Sequence, residues 1–215
     1  MLMRLIVFLT FSALVFPQTG KLETISEAVP EEIAPSIRES LPTSASRIVM
    51  KSGIIATFWI REDIDLKDSS SPELGVNFGQ FPVGTLVGVF QISGPWKDYK
   101  NAVIEEGIYT MRYARQPADG DHLGVSLYRD FLILAPAEQD NELDREYSQQ
   151  DLIDMGRLVS RSTHPAVLAF FPIWESIESS VSLLRNELDQ MTLAVKQGDL
   201  VLGLVLIGHG ELEGY

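Results

Sequence analysis

Short apolar runs, each closed by turn residues, constrain this chain more than any other feature. They recur from Arg47 onward as "RIVMKSGIIATFWIRED", "LGVNFGQFPVGTLVGVFQISG", "GIYTMRYARQ", "YRDFLILAPA", "ESSVSLLRNE", "QMTLAVKQ" and "DLVLGLVLIGHGE". β-branched and aromatic residues dominate them, and glycine, proline or polar turns separate them, which is the composition of strands. Gly79, Pro82 and Gly84 mark turns or bulges. In "GIYTMRYARQ", Tyr109, Met111 and Tyr113 alternate with Thr110 and Arg112, which predicts a half-buried strand. Gln197-Gly198-Asp199 predicts a hairpin loop between the last two runs. One window breaks the pattern. Ser148 is placed to cap a helix, with Asp151 three residues on. Leu152, Met155, Leu158 and Val159 then recur at helical spacing until Pro165. The expected fold is mainly β: an antiparallel β-sandwich of roughly eight strands with one packed α-helix, forming a single domain over residues 47–215.

The first residues read "MLMRLIVFLTFSALVFPQTG". Arg4, the apolar run Leu5 to Phe16, and then Pro17, Thr19 and Gly20 have the order of a secretory signal peptide, assigned to residues 1–20 with cleavage near Gln18 to Gly20. The run is shorter than the roughly 20 residues a spanning helix needs, and "LVLGLVLIG" has strand length. The expected location is therefore secreted or periplasmic, with no membrane contact beyond the signal peptide. Residues 21–46 hold Pro30, Pro35 and Pro42 among serines and glutamates. They are expected to form an extended or loosely packed lead segment, with a short helical turn around Glu31 to Glu39. No cysteine is present, so neither disulfides nor a lipidated cysteine is available, and stability must come from a packed core.

The formal net charge is −13. Such a balance argues against nucleic acid, whose phosphates require a basic patch, and against anionic lipid. It leaves a protein, a glycan, a small ligand or a metal as partner.

The stretch "QPADGDHLGVSLYRD", residues 116–130, concentrates the candidate chemistry. Asp119 and Asp121 flank Gly120, a pattern that favours a tight turn and offers hard oxygens to calcium. It lacks the longer calcium loop that ends in glutamate. The three histidines, His122, His164 and His209, each lie beside a turn signal. Convergence of these three, with Asp119 and Asp121 nearby, would suit zinc or copper. No local spacing such as H-E-x-x-H supports this, and a blue-copper site would need a cysteine. Arg112 or Arg115 is expected to approach Asp130 across a strand pair and brace the stretch. G-x-S-x-G and phosphate-binding glycine motifs are absent. A hydrolase would have to assemble serine, histidine and carboxylate from distant loops.

The run Glu105 to Ala137, with G-x-Y-T-x-R-Y, Q-P-x-D-G-D-H-x-G-V-S and Y-R-D-F-L, resembles a group of secreted bacterial proteins of no established function. "THPAVLAFFP" and "LVLIGHGE" look similar to their C-terminal parts. The resemblance implies export and a β-rich domain, and brings no catalytic residues. The first functional expectation is thus an exported, non-enzymatic binding or structural module. The alternatives are a copper or zinc protein using the loop histidines, and a hydrolase whose pocket lies beside the DGDH stretch.

Overall fold

The structure, a computed structural model, describes residues 20–67, 73–98, 102–118 and 126–207. The signal-peptide reading falls on residues 1–19, outside the described residues, apart from Gly20. The strands are β1 (Gly20–Ser26), β2 (Ser44–Met50), β3 (Ile55–Ile60), β4 (Leu86–Ile92), β5 (Trp96–Lys97), β6 (Val103–Ile104), β7 (Gly107–Arg115), β8 (Asp130–Pro136), β9 (Val167–Pro172), β10 (Val181–Arg185), β11 (Met191–Gln197) and β12 (Leu200–Ile207). The helices are α1 (Pro35–Arg38) and α2 (Gln149–Ser160).

The fold is mainly β and antiparallel, as its composition predicts. The eight-stranded sandwich is corrected: ten strands form one sheet in the order β1-β2-β3-β4-β7-β8-β9-β12-β11-β10. Each strand bonds to a close neighbour in sequence, and a twisted sheet of about this width curls. Here it curls into a nearly closed barrel. Ile48, Phe58, Phe90, Met111, Leu132, Phe170, Leu193 and Leu204, from eight different strands, belong to one interior cluster. Leu22 of β1 and Val181 of β10 pack on the same cluster, so the two ends of the sheet face each other. Gln197 donates from Nε2 to the Glu62 carbonyl near that seam.

Aromatic rings fill the middle. Phe58 stacks on Phe90 at 4.7 Å, and Phe78 meets Phe170 at 4.4 Å. Phe78 and Phe81 come from the connection before β4 and enter the barrel from one end, where Phe81 lies 5.5 Å from Tyr113. Gly88 permits the closest strand approach in β4. A Cβ there would stand 2.2 Å from the Trp59 carbonyl oxygen, and the β4–β7 register shifts beside it.

The outer face of the barrel is covered in two places. Trp59, Leu86 and Val89 lie under Val29, Ile33, Ile37 and Leu41. Residues 21–46 are therefore a packed part of the fold rather than a loose lead: β1 is their strand, and α1 their short helix. The apolar residues between the prolines supply the burial that their polar composition concealed. Elsewhere, Phe131, Ile133, Val167 and Ala169 lie under Leu152 and Met155 of α2. The helix begins as predicted: Ser148 accepts from the Asp151 N–H, and Asp151 accepts from the Ser148 N–H. Leu152, Met155 and Val159 are buried, while Leu158 faces solvent.

Strand β7 is buried on both faces instead of half-buried. Thr110 and Arg112 are 0% and 1% exposed. The segment that follows β8 covers them and supplies Asp140.

Candidate ligand groove

Strand alternation decides which side chains reach the outer face near α2. In β7, Ala114 points outward; in β8, Phe131 and Ile133 do; in β9, Val167 does. Their registers align them: Ala114 faces Phe131, and Ile133 faces Val167. Gln149, Ile153 and Arg157 follow at four-residue steps and share one side of α2. Floor and wall enclose a groove of about 380 Å³. Thr163, His164 and Pro165 close one end, and Gln116 and Pro117 lie at the other. Helix and sheet approach closely because residue 156 is glycine. A Cβ there would stand 2.6 Å from Pro165 Cβ and 2.9 Å from Ile133 Cγ2.

The polar groups around the groove are few and mostly committed. Gln149 donates from Nε2 to the Arg115 carbonyl at 3.0 Å, tying the start of α2 to the end of β7. Arg157 donates from Nε to the Thr163 carbonyl at 2.9 Å and from Nη1 to Asp154 at 3.0 Å. Arg115 turns its guanidinium away, toward Tyr113 Oη at 3.2 Å and the Gly79 carbonyl at 2.9 Å. The His164 backbone is held by Ser160 and Ser162, and its imidazole makes no hydrogen bond among the described residues.

Gln116 differs. Its backbone N–H donates to the Arg129 carbonyl at 2.8 Å, and its carbonyl accepts from Arg129 Nε at 2.9 Å. It is 8% exposed, and Nε2 has no hydrogen-bond partner among the described residues. Leaving such a donor buried and unpaired costs about 1–3 kcal/mol. Among the described residues, no aspartate or glutamate lines the groove, although the chain carries 30 of them.

The expected brace on Asp130 takes another form. Arg115 stands opposite Asp130 in the β7–β8 ladder, and its ion pair is with Glu73 at 3.4 Å. Asp130 instead accepts from Tyr113 Oη at 2.6 Å, the Asn77 N–H at 2.7 Å and the Phe78 N–H at 3.3 Å. It therefore fastens the aromatic plug. Burial raises its pKa above the ordinary 3.8 despite these bonds. Burial and the adjacent carboxylate push the Tyr113 phenol up as well.

Arg112 lies with Asp140, not Asp130. Its Nε and Nη2 bind the two carboxylate oxygens at 2.7 Å each. Its remaining N–H groups reach the carbonyls of Gly84, Leu143 and Glu142. Asp140 also accepts from Thr110 Oγ1 at 2.5 Å and Tyr147 Oη at 2.8 Å.

Of the metal candidates, Asp119, Asp121, His122 and His209 lie outside the described residues. His164 is exposed at the edge of the groove, and no group of three potential ligands occurs among the described residues. Ser160 donates to the His164 carbonyl, not to its ring. The residues that make the groove, Gln116, Gln149, Ile153 and Arg157, carried no motif. Their one trace in the sequence is the four-residue step on α2, beside the more apolar stripe of Leu152, Met155 and Val159. No protein-family model, curated protein or solved structure matches this chain.

Proposed function

We propose that this protein is an exported, non-enzymatic binding module whose ligand occupies the groove between α2 and the outer face of β7, β8 and β9. One observation carries the reading: between α2 and the outer face of the sheet lies a groove of about 380 Å³, lined mainly by apolar side chains. The volume lies in the range of small-molecule sites, and an apolar lining with few polar groups is their usual composition. The barrel interior is occupied by aromatic rings, which leaves the outer groove as the better receptor. Export rests on the N-terminal signal-peptide pattern and on the resemblance to secreted proteins.

The test is native mass spectrometry of the protein purified from its export compartment, beside an Ile153→Trp variant. Ile153 is half-buried on the helix wall, so the larger ring fills the groove without entering the core. A small molecule held by the wild type and lost by the variant, at equal thermal stability, is expected. Equal retention in both proteins would place the ligand elsewhere. N-terminal sequencing of the exported protein checks the cleavage expected near Gln18 to Gly20.

A further inference from the structure

A second hollow lies apart from the α2 groove, between the end of β9 and the turn that joins β10 to β11. Its volume is about 110 Å³. Trp174, Tyr128, Pro172, Ile173 and Leu184 give it apolar surface, and the exposed Glu175 and Glu187 also line it. We infer that it binds a quaternary ammonium head group, packed on the Trp174 ring beside these two carboxylates.

Trp174 is 74% exposed, whereas Trp59 and Trp96 are 0% and 5% exposed. A single exposed apolar side chain is ordinary, but this one is held in place. Its indole N–H acts on the Tyr128 hydroxyl oxygen, against burial and Glu187, which raise the pKa of that phenol. The N–H lies in the ring plane, so this contact turns the indole edge toward Tyr128 and leaves its π face open. Tyr128 is held in turn. Its hydroxyl donates to Glu187 Oε1 at 2.7 Å, and its ring meets Phe171 at a steep angle, 4.8 Å between centroids. A braced turn presents Glu187: Asn186 Oδ1 accepts from the Leu188 and Gln190 N–H groups at 3.0 Å each.

Aromatic, aliphatic and anionic groups in one hollow select a cation that is itself apolar. The electron-rich face of tryptophan attracts positive charge. The two carboxylates add to that attraction. Arg185 also lines the hollow, but its Nη1 is committed to Asp189, at 2.9 Å from the carbonyl and 3.1 Å from the carboxylate. A primary ammonium is strongly hydrated and would shed its water onto carbon surface. A quaternary ammonium holds water weakly and covers that surface with its methyl groups. The hollow is far smaller than the ~300–1,000 Å³ of sites for drug-sized ligands, so it takes a head group rather than a whole molecule.

Proton–nitrogen NMR of the indole N–H signals tests this, with the buried Trp59 and Trp96 as internal references. The probes are choline, Nε-trimethyl-lysine, dimethylbutanol as the neutral isostere of choline, ammonium chloride and methyl glucoside. Choline and Nε-trimethyl-lysine should shift the Trp174 signal saturably, and the tighter of the two names the source of the head group. Both should bind about tenfold more tightly than dimethylbutanol, the gain from a cation over an aromatic face beside carboxylates. Glu175→Gln, at an exposed position, should weaken both and leave dimethylbutanol and thermal stability unchanged. Trp174→Leu keeps apolar bulk but should abolish the calorimetric signal of choline. Dimethylbutanol or ammonium matching choline would reduce the hollow to apolar contact or to charge alone, and either result overturns the ligand class. So would a Trp174 signal that follows methyl glucoside and ignores choline. Silence of Trp174 toward every probe would overturn the site. The groove is judged separately, on Ile153→Trp.

Discussion

Arg112 and Gln116 sit four residues apart, on and just beyond one strand, and both are buried, yet they live under opposite rules. Arg112 is 1% exposed and uses all five of its N–H donors. Its partner Asp140 is 0% exposed and accepts from Arg112, Thr110 and Tyr147. Gln116 is 8% exposed and its amide nitrogen has no partner among the described residues. The covering segment explains the difference. Over Arg112, residues 137–147 bring carbonyls and a carboxylate against the sheet. Over Gln116, α2 stands off and leaves the groove. A satisfied buried network rigidifies a fold, whereas an unsatisfied donor beside a cavity costs stability and is retained where something else completes it. The first region is a closed network, and the second borders the groove proposed as the binding site.

The largest expected effect breaks the first half of that contrast. Arg112→Met leaves the Asp140 carboxylate in the interior without its cation, and removing one partner of a buried pair costs about 3–5 kcal/mol. The variant should unfold at a much lower denaturant concentration or fail to accumulate as folded protein. A denaturation midpoint within error of wild type would mean that solvent reaches Asp140 and that the closed network is not the rule there.

Asp130 offers a second, smaller break, since it combines full burial with an orienting task. Asp130→Asn keeps the shape but turns one acceptor into a donor facing Tyr113, Asn77 and Phe78. A loss of about 1–3 kcal/mol is expected from equilibrium denaturation. The pH dependence has a defined sign. The folded carboxyl holds its proton more tightly than the ordinary 3.8 of the unfolded chain, because burial outweighs its hydrogen bonds. Wild-type stability relative to the variant is thus greatest below pH 3.8 and declines as pH climbs through the raised folded value. A difference that grows with pH would show that the bonds to the carboxylate outweigh its burial.

These two carboxylates also show where the sequence was readable. Strand composition located β2, β3, β4, β7, β8, β10, β11 and β12 but not β9 or the two-residue β5 and β6, and the Ser148–Asp151 spacing located the start of α2, because both are local signals of period or capping. The closure of the sheet was not local. Alternation in "GIYTMRYARQ" assigns Thr110 and Arg112 to one face but cannot reveal that Asp140, 28 residues beyond Arg112, buries that face. The partner the sequence predicts for Asp130 is an arginine across the ladder. Its actual partners are backbone N–H groups of Asn77 and Phe78, which no residue type announces. The lead segment misled for a similar reason: three prolines suggested a loose chain, while Ile33 and Ile37 between them are fully buried. Gln116 stood at the edge of the stretch that drew attention, yet a lone glutamine has no signature. Only the absence of a partner marks it, and absence is visible only in three dimensions.

A sharper version of the contrast concerns the wall of the groove. Ser148→Ala removes the hydroxyl that accepts from the Asp151 N–H at 3.2 Å, and with it the capping box at the start of α2. Losing such a cap costs about 1 kcal/mol. The end of α2 beside Gln116 should fray first, measured as faster amide hydrogen exchange at Gln149 to Leu152 with the later turns unchanged. Uniform acceleration along the helix would mean that the cap holds the whole element rather than one end of the groove.

The smallest effect carries the opposite sign, which makes it the most discriminating. Gln116→Met replaces the unpaired amide with an apolar chain of similar length that can lie on Ala114 and Phe131. This should raise stability by about 0.5–1 kcal/mol, since an unsatisfied buried donor disappears. The same substitution at a satisfied position would destabilise, as at Arg112. A rise in denaturation midpoint is the signature of an amide that the fold carries at a cost. A fall in midpoint would show that the amide already has a partner in solution. Arg112 and Gln116 would then obey a single rule.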